Sequence, residues 1–304
     1  MKTATAVHFD VYQIITDRII AQLEQNKIPW RQPWSETGPP ANLLTKRPYR
    51  GVNVLLLNGL GYPTNYYLGW QQLQSIGGMV QKGENGHFIV FWKRLVNDEK
   101  EELEQEEVPY KAVLRYHKVF NVSQCTNIPL NLIPPIEHRP FSPIAACDEI
   151  IATMPHPPKI LYEQQSAFYH PIDDYINMPL QSTFESVDAY YAVLFHELVH
   201  STGHASRLNR KEIAQRQTFG SEAYSIEELT AEIGANFLQS MAGLPGTYFD
   251  NSLSYINNWL RRLKNDKRLI VHASGRAQRA VDYITNSSFS TPTDTQEATI
   301  EDNE

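Results

Sequence analysis

His196-Glu197-Leu198-Val199-His200 constrains this chain more than any other stretch of it. Two histidines four residues apart share a face only on a helix, so a helix is required if both imidazoles are to bind one ion. Glu197 then projects to the side of the pair, where it reaches water at an open coordination position without ligating the metal. Two His ligands, an open position and a carboxylate base are the working parts of a zinc-dependent peptide hydrolase. So short a pattern also arises by chance, and the bland alternative is a surface helix that happens to carry two histidines. The preceding run Tyr190-Tyr191-Ala192-Val193-Leu194-Phe195 argues against that. It is apolar and opens after Ser186, a suitable N-cap. A helix that apolar is buried, and a buried His-Glu-His cluster needs a partner to offset its desolvation.

A third protein ligand is needed. His204 continues the four-residue series, but at 1.5 Å per residue it lies about 6 Å further along the axis and overshoots an ion held between His196 and His200. The segment from Tyr224 to Leu238 reads as a second helix with Ile226, Leu229, Ile233 and Phe237 on one apolar stripe. Glu228 and Glu232 are four apart on another face of it. Such a pair can divide the labour, one ligating the metal and the other holding a ligand histidine by its second ring nitrogen. Thermolysin-like zincins use a similar helix, with the ligand glutamate first. The analogy assigns Glu228 as ligand and Glu232 as the acid behind a histidine; the reverse stays open. Upstream, Ala167–His170 and Tyr175–Pro179 flank a Pro-Ile-Asp-Asp turn and read as a β-hairpin. It is either ordinary sheet or an edge onto which an extended peptide could add.

At 304 residues with 41% apolar and 20% charged residues, the chain is globular and long enough for two modest cores. No apolar run approaches bilayer-spanning length, so no membrane partner is expected, and the first ten residues lack a signal-peptide core. Two cysteines, Cys125 and Cys147, make neither a disulfide framework nor a thiolate metal site. A cytoplasmic protein is the expectation. The net charge of −7 argues against nucleic acid until it is divided. Residues 1–97 hold ten Lys/Arg against five Asp/Glu; residues 98–107 hold one against seven; the remainder holds sixteen against twenty-two. The front third is basic and the part carrying the histidines is acidic.

Along the chain, residues 9–27 read as an amphipathic helix ending at the proline-framed loop Ile28-Pro29-Trp30-Arg31-Gln32-Pro33-Trp34. A helix follows through Leu57, then another from near Trp70 to Gly77-Gly78, then strands at 87–92 and 113–120. The acidic run 98–107 between them is a solvated hairpin loop or, on the rival reading, a mimic of DNA. Four prolines mark 127–140 as a linker. Further helices are expected at 144–151, 251–264 and 274–284, with an aperiodic tail from 286. Sequence-tolerant single-strand binding needs cations for phosphates and aromatic faces for bases. The front third offers Trp30, Arg31, Trp34, Tyr49, Arg50, Asn53, Trp70, Lys82 and Lys93, with the Trp30-Arg31-…-Trp34 loop the most pointed case.

With these residues laid out, the chain resembles the ArdC family of plasmid antirestriction proteins, whose front domain also begins TraC-type conjugative primases. The resemblance runs over about residues 10–285. It rests on Ile28 through Trp34, Tyr49-Arg50-Gly51-Val52-Asn53, and Gly77 through Glu84. Further back it rests on Val119 through Gln124, His196 through His204, Arg207-Leu208-Asn209-Arg210, and Glu227 through Leu238. One departure is Ser201, where relatives often carry Trp; it touches no proposed ligand. The resemblance implies an α+β protein in which a small N-terminal single-stranded-DNA-binding domain (1–126) is joined through a linker (127–140) to a zincin-like metallopeptidase domain (141–285), with a disordered tail (286–304). It further implies protection of incoming conjugative DNA from host restriction. The expected metal is Zn²⁺, with Mn²⁺ as the alternative. The expected partners are single-stranded DNA and an unidentified protein substrate, such as a component of the restriction system. On the alternative reading the metal site is structural or inactive, and the protein acts by coating or occluding DNA.

Overall fold

The computed structural model describes residues 10–31, 39–58, 60–94, 112–134, 143–214, 222–244 and 253–287. Helix α1 (Val11–Glu24) starts where Asp10 accepts the Gln13 N–H at 3.2 Å, and it turns Ile15, Ile19 and Leu23 inward. A 3₁₀ turn (Pro29–Arg31) follows. Then come β1 (Ala41–Asn42), α2 (Val52–Asn58), β2 (Tyr66–Gly69), α3 (Trp70–Ser75), β3 (Met79–Val80), β4 (His87–Arg94), β5 (Ala112–Asn121) and β6 (Cys125–Thr126). The main front sheet has the order β1-β2-β5-β4, antiparallel except for β1 beside β2. Strands β3 and β6 form a small antiparallel pair.

The second half continues with α4 (Pro143–Thr153), β7 (Lys159–Leu161), β8 (Phe168–His170), β9 (Tyr175–Asn177), α5 (Val187–Ser201), α6 (Lys211–Ala214), α7 (Glu222–Met241), α8 (Leu253–Asn265) and α9 (Leu269–Ile284). The expected hairpin is β8–β9, antiparallel, and β7 joins it in parallel to give the order β7-β9-β8. Helix α5 begins where Ser186 Oγ accepts the Ala189 N–H at 3.1 Å. The fold is α+β. Of the expected linker, residues 127–134 carry a 3₁₀ turn at Leu130–Leu132, and 135–140 lie outside the described residues. The acidic run 98–107 and the tail from 288 lie outside them as well.

The apolar core does not divide where the sequence does. One continuous cluster unites Ile15, Ile19, Leu23, Ile28, Trp30, Val52, Val54, Leu55 and Leu56 from the front third with Phe195, Leu198, Leu229, Ile233, Trp259 and Ala277 from the second half. The front third keeps two small clusters of its own, one around Leu43, Leu68, Leu73 and Val122, the other around Leu57, Tyr67 and Val119. Clusters of three or four buried residues contribute little burial energy, so the front elements draw their stability from packing on α8 and α9.

Candidate metal centre and nucleic-acid face

Helices α5 and α7 build the metal centre by lying unusually close. A Cβ added at Gly234 would stand 2.8 Å from Val199 Cγ2, so any side chain there would push α7 away from the histidine helix. The approach brings Glu228 to the histidine pair. His196 Nε2 and His200 Nε2 are 3.1 Å apart, and the two Glu228 carboxylate oxygens lie 3.7 Å from one and the other. The three donor groups fall within 4.8 Å of one another. Two nitrogens each 2.1 Å from a tetrahedral ion would be roughly 3.4 Å apart, so the pair is spaced for a shared cation. Imidazole, imidazole and carboxylate with no thiolate is a donor set that fits a borderline or hard divalent cation. Glu197, largely buried, sits on the same turn as His196.

Behind the site, Glu227 takes the place that sequence reasoning assigned to Glu232. His200 Nδ1 donates to Glu227 Oε1 at 3.1 Å, which would leave Nε2 of the neutral ring free to hold an ion. Arg210 holds Glu227 by a fork, Nε to Oε2 at 2.8 Å and Nη2 to Oε1 at 2.7 Å. The same guanidinium donates to Thr202 Oγ1 (2.6 Å) and the Val199 carbonyl (2.8 Å), satisfying the end of α5. Burial disfavours a charged His200, but the Glu227 hydrogen bond and the carboxylates of Glu228, Glu227 and Glu197 outweigh it, and its pKa is pushed up to about 9. Burial would raise Glu227, yet the bonds from His200 and Arg210 hold it down at about 2. Glu232 lies one turn further along α7 and serves the core: it accepts from Trp30 Nε1 at 3.2 Å and from the Tyr255 hydroxyl. The reason is rotation. Glu227 and Glu228 differ by about 100° around α7, enough for one to face the open edge of the histidine pair and the other its back.

A second collar fixes the hairpin to the end of the metal helix. Arg207, with 1% of its side chain exposed, donates to the Ser201 carbonyl at 2.7 Å, to the His156 carbonyl at 3.1 Å and to both oxygens of Asp174 in the β8–β9 turn. His204 stays out of the metal cluster, with its Nδ1 2.8 Å from Ser206 Oγ.

The proposed DNA-contacting residues scatter. Trp30 is 3% exposed and packs edge-on against Trp259, so it is a core residue and not a stacking platform. Asn53 is structural too: its amide donates to the Val90 carbonyl and accepts the Val90 N–H, both at 2.7 Å. Arg50 pairs with Asp282, and Tyr49 packs on Tyr67 at 6.2 Å between ring centres. Arg31 ends the 3₁₀ turn and Lys93 sits on β4; Trp34 lies outside the described residues. Trp70, 51% exposed, and Lys82 remain open to solvent. Sequence reasoning missed what stands beside Trp70: the Phe120 ring 6.1 Å away and then Lys118 and Tyr116 on the same face of β5. The period of two in Tyr116, Lys118 and Phe120 is the signal that marks them.

Comparisons with known proteins agree with this anatomy. Residues 9–122 match the model of the N-terminal domain of anti-restriction factor ArdC, and residues 146–276 match that of a zincin-like metallopeptidase. The protein y4eC of Sinorhizobium fredii (strain NBRC 101917 / NGR234) is 31% identical over 290 residues, covering 90% of this chain and 91% of that one. A DNA primase TraC of Escherichia coli is 31% identical over 300 residues, but the match spans only 27% of the primase. Crystal structures of the antirestriction protein ArdC from plasmid R388 share 35% identity with this chain. The metal-free form gives a TM-score of 0.71 over 91% of this chain and 97% of that one; the Mn(II)-bound form gives 0.74 over 93% and 100%.

Proposed function

The chain belongs to the ArdC family of antirestriction proteins, and from that premise we propose that it is a divalent-metal peptidase that works while bound to single-stranded DNA, protecting incoming conjugative DNA from restriction. The observation that carries the peptidase reading is the convergence, among the described residues, of three protein donors, His196, His200 and Glu228, with Glu197 alongside. Structural zinc sites close with four protein ligands, whereas hydrolytic sites use three and leave a position open. Zinc is the expected ion, with manganese the alternative. When bound, it would polarise a peptide carbonyl and make water at the site more acidic. Glu197 takes the proton of the attacking water and returns it to the leaving amine. Glu227 keeps His200 in the tautomer that turns Nε2 inward, and Arg210 keeps Glu227 ionised. The β8 edge, tied to α5 through Arg207 and Asp174, is suited to pairing with an extended peptide. The substrate would be a protein, such as a component of the restriction system.

For single-stranded DNA, the supporting surface is Trp70, Phe120, Lys118 and Tyr116, with Lys82 on the turn after β3. Exposed rings interleaved with cations suit bases and phosphates without sequence preference. Glu197→Gln tests the whole reading. The variant should bind metal and DNA as the native chain does and lose both peptide hydrolysis and antirestriction. Antirestriction that survives in this variant would instead assign the protection to coating of the DNA.

A further inference from the structure

We propose that the solvent face of α9 is a second binding surface for the phosphate backbone of single-stranded nucleic acid, set in the otherwise acidic metallopeptidase half. This inference rests on the single-strand reading above and extends it to an element that contributes nothing to the front aromatic face. Residues 253–287 hold seven Lys/Arg against two Asp/Glu, reversing the balance of the rest of that half. Lys264 and Lys267 are used internally, paired with Glu24 at 2.9 Å and Asp10 at 2.5 Å. Arg261 and Arg262 belong to α8 and bond to Asn258, and the remaining three arginines gather on one line. At 100° per residue, Arg268, His272, Arg276 and Arg279 fall within about an 80° arc and span roughly 16 Å of helix. Arg268, His272 and Arg279 are exposed and Arg276 is half-buried. Among the described residues no ion pair engages Arg268 or Arg279.

The two nearby acids are already occupied. Asp266 accepts the backbone N–H of Arg268 at 2.8 Å, and Asp282 is held by Arg50 and by Gln278 at 3.2 Å. Like charges lined up along a helix destabilise it, so their alignment asks for a counter-charge.

Gly275 is the independent observation. It borders the same arc, about 20° beyond Arg268 around the axis, in the middle of α9, where glycine weakens a helix relative to alanine. Packing does not require it: a Cβ there would meet nothing within 4 Å. This contrasts with Gly234, whose missing side chain is filled by Val199. A bare patch of helix backbone bordered on one side by His272 and Arg279 is what a close-approaching phosphate chain needs, and what a merely solubilising surface does not.

The face also adjoins the front third. Tyr12 of α1 meets His272 edge-on at 6.3 Å and carries the Arg268 guanidinium 5.5 Å above its ring. A strand leaving the front domain would therefore pass onto α9.

The test is oligo(dT) binding by the full-length chain across a salt series. Arg268→Ala/Arg279→Ala should weaken binding about tenfold at low salt and reduce the slope of log affinity against log salt by about 1.4, at 0.7 per lost phosphate contact. Its melting temperature and metal content should match the native chain. Gly275→Gln should melt no lower than native yet bind severalfold more weakly. If Trp70→Ala weakens binding while all three α9 substitutions leave affinity and slope unchanged, the α9 surface is refuted and the front face stands. A native chain that fails to bind oligo(dT) overturns both. Polyglutamate that competes as well as oligo(dT) per charge would mean a general anion face and refute the assignment to nucleic acid.

Discussion

The metal centre and the front DNA face were both proposed from side-chain chemistry, and they came out of the fold differently. At the metal centre His196, His200 and Glu228 meet within 4.8 Å, as their spacing on two helices required. At the front face, Trp30 and Asn53 turned inward, and the exposed rings are Trp70 and Tyr116, with half-buried Phe120 beside Trp70. Coordination chemistry tolerates errors of only a few tenths of an ångström, so it leaves a periodic signature that few other residues can imitate. Backbone-directed nucleic-acid binding tolerates almost any arrangement of rings and cations, so composition flags a region without choosing its residues. An aromatic residue drawn from that region is at least as useful to the core.

Breaking the comparison at its strongest point gives the largest effect. Glu197→Gln should cost roughly 10²–10⁴-fold in peptide hydrolysis, the usual worth of a positioned general base, with unchanged metal content by elemental analysis. Retained turnover would remove Glu197 from the chemistry. Next in size is Trp30→Ala. As a buried ring pinned to Glu232 and Trp259, it should cost about 3–5 kcal/mol of stability in denaturant unfolding. A loss of DNA affinity with no loss of stability would restore Trp30 as a stacking residue.

How much of this was legible depended on which signal each element carries. The long helices α1, α5, α7, α8 and α9 announce themselves by apolar residues every three or four positions, and β4 and β5 by runs of branched and aromatic residues. The short strands β1, β3, β6 and β7 span two or three residues, too few for any period to register. Glu228 was legible because a ligand must sit on the turn that faces the histidines. Glu227 was not, since helical spacing favours acids four apart and the partner of His200 is the neighbour in sequence, 100° around the helix. Arg210 fixes that partner from a loop, where no periodicity exists, and only the tertiary structure reveals its fork onto Glu227.

That pair supplies the third prediction. Glu227→Gln keeps the volume but can no longer take the His200 proton with a full negative charge, and it leaves Arg210 buried against a neutral amide. Metal affinity should fall about 10–100-fold, the usual cost of losing the group behind a ligand histidine, and titration against a competing chelator reads it directly. Glu232→Gln, on the same helix but bonded to Trp30 and Tyr255, should lower stability while changing metal affinity far less. Equal losses of metal from the two variants would show that α7 is merely being disordered, and would dissolve the distinction between the two glutamates.

The smallest effect is the one that sharpens the front face. Trp70 is half-exposed and stands 6.1 Å from the Phe120 ring, so Trp70→Ala should change unfolding stability by under about 0.5 kcal/mol, as surface substitutions do. Single-stranded DNA affinity should nonetheless fall by about 1 kcal/mol, the lower end of what a stacked base contributes, because the ring already has a neighbour and one base at most can cover it. Fluorescence anisotropy of a labelled oligonucleotide resolves a change of that size, roughly fivefold. The informative result is the pairing of Trp70→Ala with Trp30→Ala. The first should move binding and spare the fold, the second should move the fold, and a reversal of that pattern would put the front aromatic face back in the proline loop where composition first located it.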